Sequence, residues 1–272
     1  MALAFRGVTY SYPDSNSPAL RDVDLEFKTG GVTLITGPVG SGCSTLLLAA
    51  TGLVPRVTGG SLQGSVTTLG HDPSSDDGKE SLAGRVALLF PTPWTQLSGM
   101  AFRVWDEVAF GPANLGWSRE RISRVVERSM ARFGVTHLAD RDPTTLSDGE
   151  LQRVIIAGLL AMESELVLLD EPTSQLDPAS AESFYQFLPE LALNATVIIA
   201  STDIDRAYPV ADRVIVLDDG VCVAEGDPKV TLAQEHVADL GATATVGSLF
   251  RRAGVQGPVP ISVADAVKVV NR

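Results

Sequence analysis

Residues 166–173 read L-V-L-L-D-E-P-T. Four consecutive apolar residues suit a short buried strand, and the two carboxylates that end it, Asp170 and Glu171, are too costly to bury without a partner or a task. Such a strand-end pair either caps the next helix or manages a metal ion and a water. On the second reading Asp170 holds a magnesium ion through water, with help from a hydroxyl elsewhere in the chain, and Glu171 polarises an attacking water.

Working outward, that hydroxyl has a candidate upstream. Residues 32–36, V-T-L-I-T, form another buried-strand run, and G-P-V-G-S-G-C-S-T (residues 37–45) follows, opening a helical S-T-L-L-L-A-A-T. A phosphate-binding loop is written G-x-x-x-x-G-K-[ST] between a strand and a helix. Gly37, Gly40, Gly42, Ser44 and Thr45 stand in place, with Ser44 as the magnesium hydroxyl, while Cys43 occupies the lysine position. The loop works because backbone N–H groups freed by glycine wrap a phosphate at a helix N-terminus. Cys43 leaves that cradle intact but removes an ammonium facing the β- and γ-phosphates, where one charge-assisted hydrogen bond is worth about 1.5–3 kcal/mol. A weakened site is expected. A thiol at a helix N-terminus also admits a redox switch. A small residue tolerated after the lysine was lost is the simpler alternative, since Cys222 is far away in sequence.

The capping reading of Asp170 and Glu171 loses ground on both sides, because S-Q-L-D (residues 174–177) follows at once and L-S-D-G-E-L-Q-R (residues 146–153) precedes. With these motifs in order, the chain resembles an ABC-type ATPase. L-S-D-G-E is similar to the L-S-G-G-Q signature with which one ATPase subunit covers the γ-phosphate held by another. Ser147 and Glu150 also stand at capping-box spacing, and both roles are compatible at a phosphate-facing helix N-terminus. The resemblance implies that Ser147, Gly149 and Asp177 serve nucleotide. It also implies that Tyr12 stacks on adenine, against the plainer reading of a strand tyrosine packing on its neighbours. F-P-T-P-W-T-Q-L (residues 90–97) and W-D-E-V-A-F-G-P-A-N-L-G (residues 105–116) resemble the Q-loop region of the ATPases that energise energy-coupling-factor (ECF) transporters and their cobalt and nickel relatives. The tail, from L-G-A-T-A-T-V through P-V-P-I-S-V-A-D-A-V, is similar to that family's C-terminal extension.

Three positions depart together. Cys43 replaces the loop lysine, Pro91 stands where the Q-loop glutamine belongs, and Thr202 in A-S-T-D replaces the switch histidine. Proline offers no side-chain donor or acceptor, and threonine carries no positive charge toward a developing phosphate charge. Asp148 in the signature sets a carboxylate near where a partner's γ-phosphate would sit, which weakens closure unless Asp148 points to solvent. The expectation is an asymmetric pair in which this chain is the degenerate half, or a pseudo-ATPase that never turns nucleotide over.

Composition agrees with a compact protein. With 272 residues and 44% apolar residues the chain has ample material for a core, and a formal charge of -12 without a basic run excludes nucleic acid as partner. No apolar run approaches the ~20 residues of a membrane span, Met1 opens no signal peptide, and two cysteines suggest no disulfide framework. A cytoplasmic protein docked on the inner face of the cell membrane is expected. The resemblance implies the partners: a second ABC ATPase subunit, a transmembrane coupling protein and, through it, a substrate-binding membrane subunit, with ATP and Mg2+ as cofactors. A soluble ABC protein of repair or translation would carry a coiled-coil insertion or a second cassette, and neither is present in this sequence.

The expected fold is α/β: an ABC-type P-loop ATPase core with an antiparallel β subdomain, a helical subdomain about 112–149, and a C-terminal helical extension over 229–272 that follows an ATP-binding domain at 1–228. Alternation in residues 5–27 predicts antiparallel strands, and Ile122, Val125, Val126, Met130 and Phe133 predict an amphipathic helix over 119–133. Residues 59–84, rich in Gly, Ser and Asp, read as a turn-laden excursion. R-V-I-V-L, D-D-G and V-C-V-A-E-G read as an edge hairpin, and Ser262 and Asp265 as the cap of a last short helix.

Overall fold

The computed structural model describes residues 1–270. Its strands are β1 (Leu3–Ser11), β2 (Leu20–Phe27), β3 (Val32–Thr36), β4 (Ser61–Thr68), β5 (Val86–Leu89), β6 (Leu166–Asp170), β7 (Thr196–Ala200), β8 (Arg213–Asp218) and β9 (Val221–Gly226). They form a three-stranded antiparallel sheet ordered β2-β1-β4 and a six-stranded sheet ordered β5-β6-β7-β3-β8-β9, parallel except for its edge strand β9. The acidic strand thus lies inside the larger sheet, between β5 and β7. The predicted edge hairpin is β8–β9.

Between the strands run α1 (Cys43–Ala50), α2 (Leu53–Arg56), α3 (Asp76–Leu82), α4 (Val104–Asn114), α5 (Arg119–Arg132), α6 (Asp148–Ala161), α7 (Pro178–Leu191) and α8 (Ile204–Ala207). The tail adds α9 (Pro228–Leu232), α10 (Glu235–Asp239), α11 (Thr245–Arg252) and α12 (Val263–Val270). Asp265 N donates to Ser262 Oγ at 3.1 Å, as the capping signal before α12 requires. None of the described helices is long and apolar enough to cross a membrane.

Side-chain alternation along the central strands sorts their residues between two cores. Val167 and Leu169 join Leu34, Val197, Ile199, Val214 and Val216 on the face covered by α4 to α7. Leu166 and Leu168 join Ile35, Ile198, Ala200, Ile215 and Leu217 on the face covered by α1 and the three-stranded sheet. A strand covered on both faces reads as a continuous apolar run, which is why L-V-L-L is legible. Each fully buried Leu or Ile contributes about 1.5–3 kcal/mol, so β6 gives Asp170 and Glu171 a rigid base. The tail shares this core: Leu232, Val237, Ala242, Ala244 and Ile261 pack into the same cluster as β6 and α6.

Residues 59–84 correct one expectation. They hold β4 and α3. In β4, S-L-Q-G-S-V-T-T, only Val66 and Thr68 are buried, so the apolar alternation that marks a strand is missing. Pairing with β1, rather than an apolar face, defines it.

Candidate functional site

The loop between β3 and α1 is shaped by close backbone approach. A Cβ at Gly37 would lie 2.1 Å from Leu217 O, and one at Gly42 2.6 Å from Ala19 O. Gly42 is the N-cap of α1 in the left-handed region, φ 102°, where glycine is unstrained. The loop wraps a cavity of about 440 Å³ lined by Tyr12, Gly37, Gly40, Gly42, Cys43, Ser44, Thr45 and, from the far side, Asp170, Glu171 and Thr202. Ten residues expected at a nucleotide site from four separate stretches of chain therefore meet in one place. Ser147, Gly149 and Asp177 do not line it.

Cys43 faces the two carboxylates. Burial pushes its thiol up to about 11, the hydrogen bond from Ser41 opposes, and the charges of Asp170 and Glu171 push it further. Cys43 Sγ lies 3.3 Å from Ser41 Oγ. A neutral thiol at physiological pH is a poor nucleophile, so the redox alternative loses its chemical basis. A lysine in its place would have set an ammonium against both carboxylates.

Asp170 is 5% exposed. Burial lifts its carboxyl from 3.8 to about 6, with a hydrogen bond from Ser44 opposing and the charge of Glu171 adding. Such a carboxylate lacks a counter-charge, and Thr36 Oγ1, buried on the same cavity wall, has no hydrogen-bond partner in the protein. Hard oxygen donors around an uncompensated carboxylate fit Mg2+, which takes one or two protein ligands and fills the rest with phosphate and water. No cluster of three or more His, Cys, Asp or Glu forms an alternative metal site among the described residues.

Glu171 sits in the left-handed region at φ 44°, uncommon for a residue with a Cβ. Its N–H donates to Ala200 O at 2.9 Å, which pins it to β7. The carboxylate is received by the next loop: Thr202 N donates to Oε1 at 2.8 Å and Ser201 Oγ to Oε2 at 3.4 Å. Ser201 in turn is 2.9 Å from the buried Tyr185 hydroxyl. Thr202 therefore holds Glu171 through its backbone, a role that any residue fills. Nothing in the sequence singled out Ser201 or Tyr185.

The signature lies at the start of α6. Ser147 closes a full capping box: Glu150 N donates to its Oγ at 3.4 Å, and Glu150 Oε2 accepts from Ser147 N at 2.9 Å. These bonds, backbone first, hold the Glu150 carboxyl below the usual range. Asp148 is exposed, and its Oδ1 accepts from Trp94 Nε1 at 2.8 Å. Gly149 leaves room for Gln175 O, which a Cβ would approach to 3.1 Å. Gln152, fully buried, donates to Pro172 O at 2.7 Å and ties α6 to the turn after Glu171. The Asp177 carboxylate caps α7, accepting from Ala179 N, Ser180 N and Ser180 Oγ at 3.1, 3.0 and 2.5 Å. An Asp before Pro178 is an N-cap followed by proline at the first helical position, a signal present in the sequence.

Residues 90–98 form a braced loop. Gln96 donates to Leu88 O and accepts from Phe90 N, both at 2.8 Å, so its carboxamide staples a 3₁₀ turn, Pro93–Gln96, to β5 and does not reach the cavity. Pro91 contributes only its carbonyl, which accepts from Ser174 Oγ at 3.4 Å. Beside the loop a groove of about 140 Å³ opens between Gln96, Phe110, Ile155 and Met162. Trp94 on the loop, and Met100 and Phe102 just after it in sequence, stand 42%, 73% and 85% exposed.

Comparison with known proteins agrees with this geometry. The ABC transporter family model matches residues 20–174. The energy-coupling factor transporter ATP-binding protein EcfA of Methanothermobacter thermautotrophicus is 35% identical over 271 residues, covering 97% of this chain and 84% of that protein. A putative ABC transporter ATP-binding protein of Methanosarcina mazei is 40% identical over 234 residues, 85% of this chain. The chain spans about two fifths of the length of this relative and of its Methanosarcina acetivorans counterpart (39% and 37%). Among solved structures, cbiO1 from Clostridium perfringens, described as part of the ABC transporter complex cbiONQ, superimposes with a TM-score of 0.74 at 31% identity. It covers 92% of this chain and 98% of that one. A dimeric ATP-binding cassette in a post-hydrolysis state bound to ADP and Pi follows at 0.73 and 25%, covering 83% of this chain and 98% of that one. Fold, motif order and relatives converge, and the chain belongs to the ABC transporter ATP-binding family, of the energy-coupling-factor type.

Proposed function

We propose that this chain is the energy-coupling ATPase subunit of an ECF-type importer for a micronutrient such as a vitamin or a metal ion, and that it is the catalytically degenerate half of an asymmetric ATPase pair. One observation carries the reading. Against the family pattern, Cys43 stands at the loop-lysine position and Thr202 at the switch-histidine position in the cavity wall, and Pro91 stands at the Q-loop glutamine position, whereas the start of α6 keeps Ser147 exposed and Gly149 half-buried for a partner.

In this reading the loop N–H groups from Gly40 to Thr45 bind the phosphates and Tyr12 packs against the base. Tyr12 stands edge-on to Tyr10 at 4.9 Å, its hydroxyl 3.1 Å from Thr45 Oγ1, which leaves a ring face to stack. Asp170 and Ser44 would hold Mg2+, which would supply charge neutralisation for a bound phosphate. Glu171 orients a water, but without lysine and histidine the developing charge is poorly met and turnover is slow. The partner ATPase, with an intact loop, hydrolyses its own nucleotide against Ser147 and Gly149 of this chain. A transmembrane coupling protein docks in the groove beside Gln96 and Phe110, on the inner face of the membrane, and passes the motion to a substrate-binding subunit. Residues 1–228 make up the ATP-binding domain, with the helical subdomain about 112–149. Residues 229–272 make up the extension, whose last two positions lie outside the described residues.

Titration of the purified protein with a fluorescent ATP analogue, with and without Mg2+, tests the reading alongside Cys43→Lys. Micromolar binding that tightens in the variant supports a live but weakened clamp. Absence of binding in both proteins makes the cavity vestigial and favours the second reading, a pseudo-ATPase acting as a structural or regulatory subunit.

A further inference from the structure

The hydrogen bond between Trp94 and Asp148 joins two regions 54 residues apart in sequence. One partner stands on the braced loop at the rim of the groove, the other at the first position of α6. We propose that Trp94 and Asp148 are positioning residues that wire the groove-side loop to the signature end of α6, and hence to the nucleotide held by a partner subunit. The inference rests on the composite-site reading above.

The loop is built to move as one piece. Gln96 fixes it to β5 by two bonds, Thr95 Oγ1 closes the 3₁₀ turn on Thr92 O at 2.7 Å, and the N–H and hydroxyl of Ser98 both donate to Glu107 at 2.7 Å. Glu107 is buried on α4, so the far end of the loop is held by the helix that borders the groove. Within this frame Trp94 remains partly exposed and donates its indole N–H to Asp148 at the surface. The bond is charge-assisted, since a carboxylate accepts it.

The wiring follows from what is missing. Pro91 sends no side chain toward the cavity of its own chain, so the loop has no polar reach to the nucleotide beside it. Its contact with phosphate chemistry runs to α6 instead. There the Trp94 bond fixes where the Asp148 side chain sits relative to Ser147 and Gly149. A partner pressing on Trp94 displaces that side chain and the first turn of α6 together. The acceptor oxygen at this departure from the signature pattern thereby has a task.

Two measurements test this. In the isolated chain with 15N-labelled tryptophan, the indole signal assigned to Trp94 through Trp94→Phe moves in Asp148→Ala and stays near its wild-type position in Asp148→Asn, whose carboxamide oxygen still accepts. In the assembled complex with its partner ATPase, Trp94→Phe and Asp148→Ala lower the ATPase rate by about 5- to 30-fold, the range of moderate intersite coupling. Asp148→Asn keeps at least the wild-type rate, and ATP-analogue affinity of the isolated chain is unchanged in all three. Wild-type rates in Trp94→Phe and Asp148→Ala, or an Asp148→Asn as slow as Asp148→Ala, overturn the proposal. Ser147→Arg separates the two layers. If it abolishes turnover while the tie variants do not, only this inference falls; if it changes nothing, the composite-site reading falls and takes the inference with it.

Discussion

The two phosphate-facing regions of this molecule have aged differently. At the β3–α1 loop the backbone cradle is complete, and Cys43 and Thr202 stand in the cavity wall at positions where the family pattern has lysine and histidine, with Pro91 at the Q-loop glutamine position. At the start of α6 the capping box is intact and Gly149 still admits the close approach of Gln175 O. Backbone geometry survives at both ends because folding enforces it: Gly37 and Gly42 pack against Leu217 and Ala19, and Ser147 holds a helix terminus. Side chains that serve only chemistry have no such protection, and the departures from the family pattern are more numerous around the β3–α1 loop, with Asp148 and Glu150 the departures at the signature. Under the proposed division of labour between two unlike ATPases, that is the asymmetry expected.

The largest effect that would break the comparison comes from Ser147→Arg, which fills the signature end with a bulky side chain. ATPase turnover of the assembled complex is expected to fall about 100-fold or more, the scale of losing a preorganised phosphate contact, whereas Glu171→Gln changes it less than about 2-fold. Equal losses in the two variants would mean that both sites work. A smaller effect concerns Asp170. Its carboxyl is raised from 3.8 to about 6, so the folded state binds more protons than the unfolded one between these values, and stability falls as pH rises through that window. Asp170→Asn should therefore stabilise the nucleotide-free protein by about 2–3 kcal/mol at pH 7.5, some 4 °C in thermal melts, and by nearly nothing at pH 4. A gain equal at both pH values would remove burial of the charge as the cause.

Sharpening comes from Cys43→Lys. Restoring the ammonium is expected to tighten ATP-analogue binding about 10-fold, one charge-assisted bond, in fluorescence titration. A lysine that leaves affinity unchanged would show that the loop no longer presents a phosphate to that position. The smallest effect is Ser147→Ala, which removes one cap and should cost about 1 kcal/mol in denaturant unfolding. A loss several times larger would mean that the capping box braces more than its own helix.

Much of this was legible in the sequence, for reasons that differ by region. β6 and β3 announce themselves because strands buried on both faces are apolar throughout, and the glycine loop because its spacing follows from backbone conformation. β4 was hidden, since an edge strand with two buried side chains carries no apolar rhythm. The support of Glu171 by Ser201 and Tyr185, and the bond from Trp94 to Asp148, join residues far apart in sequence through single polar contacts, which no periodicity encodes. Asp177 was legible twice, as a family motif and as an Asp-Pro cap, and the structure displays the second.

The shared core of the tail sets a limit on how this protein can be cut. Leu232, Val237, Ala242, Ala244 and Ile261 are threads of the same fabric as β6 and α6, so a stop codon placed after Gly226 would not yield a minimal cassette. It would strip one wall from the layer beneath the acidic strand and leave a sticky, aggregation-prone surface. Anyone trimming the chain for crystallisation or fusion should treat residues through Ile261 as part of the packed body, and place junctions beyond them.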